Sequence, residues 1–263
     1  MTHVDDPIAH TMGLMDHLRE LRKRLIVSFI AITLGAIASY LYAGELFNVL
    51  CAPYFVAFPN SPLIGTSPTE AWVLKLKVSA FAGALLTSPI LFYQLWLFVA
   101  PGLYAHEKKL VLPFIACSTL LFVGGSVFCY RMVLPLTFSF FHEEFKSIGV
   151  TPTIRVGDHI SMTITALAGF GAVFELPLLT FFLARAGVID HRTLIDWFKH
   201  AVIVIFVIAA ILTPPDVLTQ FLMAGPLLVL YVLSIGIAYL ANRPQAEDTV
   251  ALQTGVPATQ PDK

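Results

Sequence analysis

Charge is what this sequence has least of. Only 13% of its 263 residues are Asp, Glu, Lys or Arg, against 57% hydrophobic residues, and the mean hydropathy is +0.80. A soluble domain could not hide that much apolar surface, so the composition predicts an all-α, polytopic membrane protein. Polar alternation is lacking too: the apolar runs are continuous, whereas β-barrel strands would alternate. Cysteine is scarce. Cys51, Cys117 and Cys129 are too few for a disulfide framework, and Cys117 and Cys129 lie about 18 Å apart along one predicted helix, too far to bridge. Buried, inert thiols are expected. There is no GxxxxGK[ST] and no GxGxxG, which excludes a nucleotide site of either kind. None of the eight histidines (3, 10, 17, 106, 142, 159, 191, 200) falls near the centre of a predicted span, which disfavours a membrane haem. The spans hold no Ser/His pair or paired Asp for a protease and show no internal duplication of the transporter kind. No enzyme activity, cofactor, metal or nucleic-acid partner is therefore expected. The first 24 residues are polar and lack a short apolar core, so no cleavable signal peptide is expected.

The apolar runs predict six spans at about 25–42, 73–100, 110–134, 160–184, 200–213 and 217–240. They form one membrane domain over 14–240, between a loose tail at 1–13 and a polar, Pro-rich disordered tail at 241–263. Leu14, Leu18, Leu21 and Leu25 share one helical face while Asp16, Arg19, Glu20 and Lys23 lie around the other, which predicts an amphipathic helix at the membrane surface. The loop from Ala43 to Ser67 is too long for a tight turn and is expected to form a small ordered cap. Ser67-Pro68-Thr69-Glu70 reads as a helix start, with Ser67 as N-cap and Glu70 reaching back. The helix that follows would approach 50 Å, so it should protrude, tilt or bend at Pro89. The third span should stop near Pro135, followed by an outer loop to Gly157 and an N-cap at Asp158; Asp190 is a second cap. Thr213-Pro214-Pro215-Asp216 forces a turn, which leaves a fifth helix of roughly 20–22 Å, short of the ~30 Å core. The fifth and sixth helices are expected to be short and to thin the bilayer; one span plus a re-entrant segment is the other reading of this stretch. Of the 16 Lys and Arg, eleven (19, 22, 23, 24, 108, 109, 185, 192, 199, 243 and 263) fall on the side that carries both termini, so the termini are placed in the cytoplasm.

One carboxylate, Glu175, lies well inside the run Ile160–Ala184. A charge in a bilayer costs roughly 2.5–3.5 kcal/mol on insertion scales and marks a functional site by default. Positions 171, 172, 178 and 179 are Gly, Ala, Leu and Leu, so its partner must come from another helix, another subunit, a ligand or water. On the inner face, His17-Leu18-Arg19-Glu20-Leu21-Arg22-Lys23-Arg24 and His106-Glu107 interleave acid and base. Such carboxylates could receive arginines from a partner, because Arg–carboxylate pairs are bidentate and directional. The plainer alternatives stand beside these readings. Residues 17–24 could be a positive-inside anchor and Glu107 a solvated loop charge. Asp216 could cap the sixth helix, Gln94 could make an interhelical hydrogen bond, and Pro89 could only bend its helix.

His17–Leu25, Thr66–Glu70, Ala100–Lys109, Phe170–Pro177 and Leu212–Gln220, taken in order, resemble TatC, the multi-span receptor subunit of the twin-arginine protein translocase. The resemblance covers about residues 14–240. It implies a six-helix, glove-shaped fold in the bacterial cytoplasmic (inner) membrane. It implies binding of the twin-arginine signal peptides of folded proteins and their export on the proton-motive force. TatA- and TatB-type single-span subunits, membrane lipid and a multimeric complex are the implied partners. By the same resemblance Glu20 and Glu107 meet the signal's arginine pair, Arg22 is the required basic residue, and Glu175 lies in the groove near the docking single-span subunits. Pro53, Pro89, Phe98, Asp216 and Gln220 match sensitive positions. Trp72 stands where Phe is expected, and the C-terminal tail matches nothing. The rival function is a proton-coupled small-solute transporter with Glu175 as relay; a plain membrane anchor is a third.

Overall fold

The fold is that of a computed structural model, which describes residues 14–99, 111–185, 187–212 and 217–241. The tail at 1–13, the 241–263 tail beyond Ala241, the loop with His106 and Glu107, and the turn with Asp216 lie outside the described residues.

Helix α1 runs unbroken over Leu14–Tyr40. The expected surface helix and the first span are thus one element. Leu18 and Leu25, on the apolar face of this helix, are exposed, while the polar face finds partners within the chain. Helix α2 (Ala43–Ala57) turns away from α1 by 88°. Strand β1 (Leu63–Ile64) follows and pairs in parallel with β2 (Ile154–Arg155), Leu63 opposite Ile154. The expected cap is therefore a helix and a two-residue ladder around buried Tyr54, whose ring lies 5.1 Å from Phe58 and 5.1 Å from His159 and whose hydroxyl donates to the Ser61 carbonyl at 3.0 Å.

Helix α3 (Glu70–Leu86) and helix α4 (Ser88–Val99) are bent by 61° at Thr87. Pro89 has no N–H to give the Leu85 carbonyl one turn back. The Ser88 hydroxyl donates there instead, at 2.7 Å. Pro53, inside α2, releases the Val49 carbonyl in the same way, and the Tyr130 hydroxyl takes it at 2.8 Å. Both prolines hold the structural places the sequence suggests, each with a hydroxyl as surrogate donor. Helices α1 and α3 cross at Gly35 and Gly83, where a methyl added to Gly35 would stand 2.8 Å from the Gly83 carbonyl oxygen and one on Gly83 would lie 2.7 Å from the Gly35 carbonyl carbon. Small residues allow this backbone contact between helices in lipid.

Helix α5 (Val111–Phe128) passes through a π-helical turn, Cys129–Val133, into α6 (Leu134–Ser147). This corrects the expected stop near Pro135. The π turn widens the ring, so Leu134 N–H reaches back five residues to the Cys129 carbonyl and Pro135 enters at the first turn of α6. The stop comes at Gly149, with φ of 70°, where Gly149 N–H and Val150 N–H close on Lys146 and Phe145. Cys51 and Cys129 are buried, but Cys117 is exposed on α5, on a face that lipid would meet.

Helix α7 (Val156–Phe174) begins two residues before Asp158, which therefore sits in the first turn, 4.0 Å from Arg155, and is not the N-cap. Helix α8 (Leu176–Arg185) follows after a break at Glu175. Helix α9 (His191–Asp196) is capped by Asp190, whose carboxylate accepts from His191 N–H at 2.7 Å. Helix α10 (Phe198–Leu212) has 15 residues and helix α11 (Val217–Ala241) has 25, so of the two helices expected to be short only the fifth span is. Pro226, which could have cut the sixth, lies inside α11 without ending it.

Among the described residues three elements are long and apolar enough to cross a membrane alone: Leu112–Ser147, Val156–Arg185 and Thr219–Leu240. The bent pairs α1 with α2 and α3 with α4, and the shorter α10, supply the other three apolar elements. The chain is an all-α, multi-pass membrane protein. It divides into two compact units, up to Ala168 and from Gly169 onward.

Candidate functional site

In the first unit the acid–base face of α1 meets α4. The spacing of Glu20 and Arg24 puts both on one helical face, and Arg24 Nη2 donates to Glu20 Oε1 at 3.1 Å. Arg24 Nη1 donates to Gln94 Oε1 on α4 at 3.3 Å. Gln94 is buried, and the Glu20 and Arg24 side chains are 19% and 24% exposed, so the pair is shielded from water on most sides. One turn away, the rings of His17 and Phe98 stack 4.5 Å apart at 26°. The bend before Pro89 aims α4 so that Gln94 and Phe98, four residues apart, both face α1. Trp96 is buried on another side of α4, 4.5 Å from Phe114 of α5.

The structure thus brings together Glu20, Gln94 and Phe98 from the predicted set. Arg22 is exposed and, two residues from Glu20, lies on another side of α1. Glu107 and Asp216 lie outside the described residues. The interhelical hydrogen bond suggested for Gln94 is present, and its partner is a guanidinium. His17 and Arg24 are the two ends of the interleaved run on α1; the i,i+4 spacing of Glu20 and Arg24 is legible in the sequence, whereas the approach of α4 is not.

Glu70 holds a second cluster, at the outer end of α3. Its Oε2 accepts from Thr66 N–H at 2.6 Å and Ser67 N–H at 3.3 Å, and its Oε1 accepts from Gly157 N–H at 3.1 Å. The backbone N–H of Thr66, with those of Ser67 and Gly157, holds this carboxyl below its ordinary range against a smaller opposing effect of desolvation. Ser67 is not the N-cap as expected. Thr69 occupies that place, and the Ser67 hydroxyl pairs with the Thr69 hydroxyl at 3.1 Å. Only the returning half of the expected capping box forms, through Glu70 Oε2, while the Ser67 hydroxyl is taken up with Thr69.

In the second unit Glu175 interrupts the helix. Pro177 denies an N–H to the turn, and Glu175 N–H closes a tighter ring on the Ala172 carbonyl at 3.2 Å. Gln220 Nε2 donates to the Phe206 carbonyl at 2.8 Å, clamping α11 to α10.

The description "Sec-independent protein translocase protein (TatC)" matches residues 16–226. The chain belongs to the TatC family. Its relatives include TatC of Aquifex aeolicus (strain VF5), 40% identical over 90% of this chain and 98% of that protein. TatC of Campylobacter jejuni subsp. jejuni is 41% identical over 87% of this chain and 94% of that protein. A crystal structure of the twin arginine translocase receptor TatC superposes with a TM-score of 0.80 at 41% identity, over 86% of this chain and all of that one. A second, of the receptor in DDM, gives 0.79 at 40%. TatC membership makes this chain a protein-translocase component and disfavours the small-solute transporter reading of Glu175.

Proposed function

We propose that this TatC-family chain is the receptor subunit that binds twin-arginine signal peptides of folded proteins in the bacterial inner membrane, with both termini cytoplasmic. With TatA- and TatB-type single-span subunits in a multimeric complex, it supports their export on the proton-motive force. It binds and positions cargo and has no catalytic centre. The observation that carries this reading is the cradle around Arg24, where a carboxylate and an amide oxygen from two helices already hold a guanidinium. Glu20, with Glu107 from the loop after α4, supplies the charge that meets the signal's arginines, and Arg22 supports them from the exposed side. Bidentate Arg–carboxylate geometry gives arginine its advantage over lysine. Glu175, Asp216 and Gln220 belong to the surface where the single-span subunits dock.

The test is crosslinking of a twin-arginine signal peptide to the translocase in membrane vesicles. Glu20→Gln combined with Glu107→Gln should lower crosslinking at least tenfold, towards the level of a twin-lysine peptide. Undiminished crosslinking and export in that variant would show that these carboxylates are not the receptor.

A further inference from the structure

The cradle is occupied by the chain's own side chain. Two different terminal nitrogens of Arg24 reach two acceptors on helices seventy residues apart, Glu20 Oε1 at 3.1 Å and Gln94 Oε1 at 3.3 Å. An ammonium has three N–H donors but presents them all from one nitrogen, whereas the planar guanidinium fork presents two nitrogens, one to each acceptor. The fit is also incomplete. Arg24 Nε is buried and has no hydrogen-bond partner among the described residues, and a buried donor left unmade weakens the state that contains it. A side chain whose only role was to brace α1 against α4 gains nothing from that orphan. A tethered ligand bound well enough to neutralise Glu20, and poorly enough to leave, is the arrangement that a displaceable occupant requires.

We propose that Arg24 is an intramolecular stand-in for the signal peptide's arginine: it fills the Glu20–Gln94 cradle in the resting receptor and is displaced when a cargo guanidinium arrives. This rests on the proposed function and adds to it a resting occupant of the site, which any incoming cation has to displace. A second guanidinium reproduces the two-nitrogen fork, whereas a lysine must meet both acceptors from one nitrogen. With Arg24 in place, Glu20 is paired in the resting receptor and not left bare.

Binding of a fluorescent twin-arginine signal peptide, and of its twin-lysine counterpart, is measured on the assembled translocase carrying Arg24→Gln, Arg24→Lys or Glu20→Gln. Removing the competitor raises the fraction of empty cradles, so Arg24→Gln should bind the twin-arginine peptide roughly three- to tenfold tighter. The twin-lysine peptide should gain by the same factor, because the fraction of empty cradles is a property of the receptor and not of the peptide. Arg24→Lys, which keeps the charge and loses the fork, should fall between, and it provides the same readout if Arg24→Gln fails to assemble. Weaker or unchanged twin-arginine binding in both Arg24 variants, with Glu20→Gln still weakening it, overturns the stand-in and makes Arg24 a brace for Glu20. Unchanged binding in Glu20→Gln removes the cradle itself, and with it both the proposed function and the stand-in.

Discussion

At the residue scale the chain repeatedly solves one problem, a backbone or side-chain polar group with no water to turn to. The Leu85 and Val49 carbonyls, released by prolines, are taken by Ser88 and Tyr130. The Phe206 carbonyl is taken by Gln220. Interhelical side-chain hydrogen bonds in membrane proteins contribute about 0.6–2 kcal/mol. Gln220→Leu should therefore lower stability by about that amount and melt a few degrees earlier in a detergent thermal scan, with the α10–α11 contact loosened first. Glu70 gathers three backbone N–H groups, and its carboxyl lies below the ordinary value of 4.5. A depressed acid favours the fold when ionised. Its contribution is complete above the unfolded value and is lost as pH falls through the lower folded value. Glu70→Gln should melt earlier than the parent chain at pH 7, and that difference should close as pH falls through the carboxyl's lowered value. A gap that stays constant from pH 7 to pH 3 would mean the carboxylate charge is not what the N–H groups hold.

At the element scale, three breaks among the described residues stand next to prolines: Thr87 before Pro89, the π turn before Pro135, and Glu175 before Pro177. All three stand one or two residues ahead of a proline, and each sheds a lost hydrogen bond differently. The first opens to a 61° bend with a serine donor, the second widens the ring, and the third tightens it. The α1–α3 crossing depends instead on two residues that carry no side chain. Adding a methyl at Gly83 puts it 2.8 Å from Ala36 Cα, with backbone rather than a flexible side chain in the way. Gly83→Ala should cost about 1–3 kcal/mol, the usual cost of overpacking. Gly124, inside α5, has nothing within 4 Å of such a methyl, so Gly124→Ala should be neutral or slightly stabilising because alanine is the better helix former. Paired thermal melts of the two variants check the contrast, and equal losses would mean that close approach at Gly83 is not what matters.

At the scale of the whole molecule, what the sequence made legible was whatever one helix decides alone. Hydrophobic length set the six apolar elements, and Pro89 marked the interruption between α3 and α4. What depended on a second element was hidden. The third span runs on to Ser147 because a π turn absorbs Pro135, and no local pattern announces a π turn. Glu70, read as one half of a local capping box, also ties the start of α3 to Gly157, eighty-seven residues away, a bond no local pattern shows. At the site, Glu20 and Gln94 could each be nominated on chemistry, but the guanidinium joining them follows only from the packing of α1 against α4. Orientation is the other property of the whole chain, and it follows from charge: eleven of the 16 Lys and Arg lie on the side assigned to the cytoplasm. Lys146, at the end of α6, and Lys199, at the start of α10, are both exposed, and the sequence puts one expected span, 160–184, between them, so the six-span expectation assigns them to opposite sides of the membrane. In a chain with Cys51, Cys117 and Cys129 replaced by alanine, Lys146→Cys should react with a membrane-impermeant maleimide in cells whose inner membrane is intact. Lys199→Cys should react only after that membrane is opened. The reverse pattern would invert the topology and place Glu20 and Arg24 on the side from which cargo leaves, where a receptor for incoming signal peptides could not work.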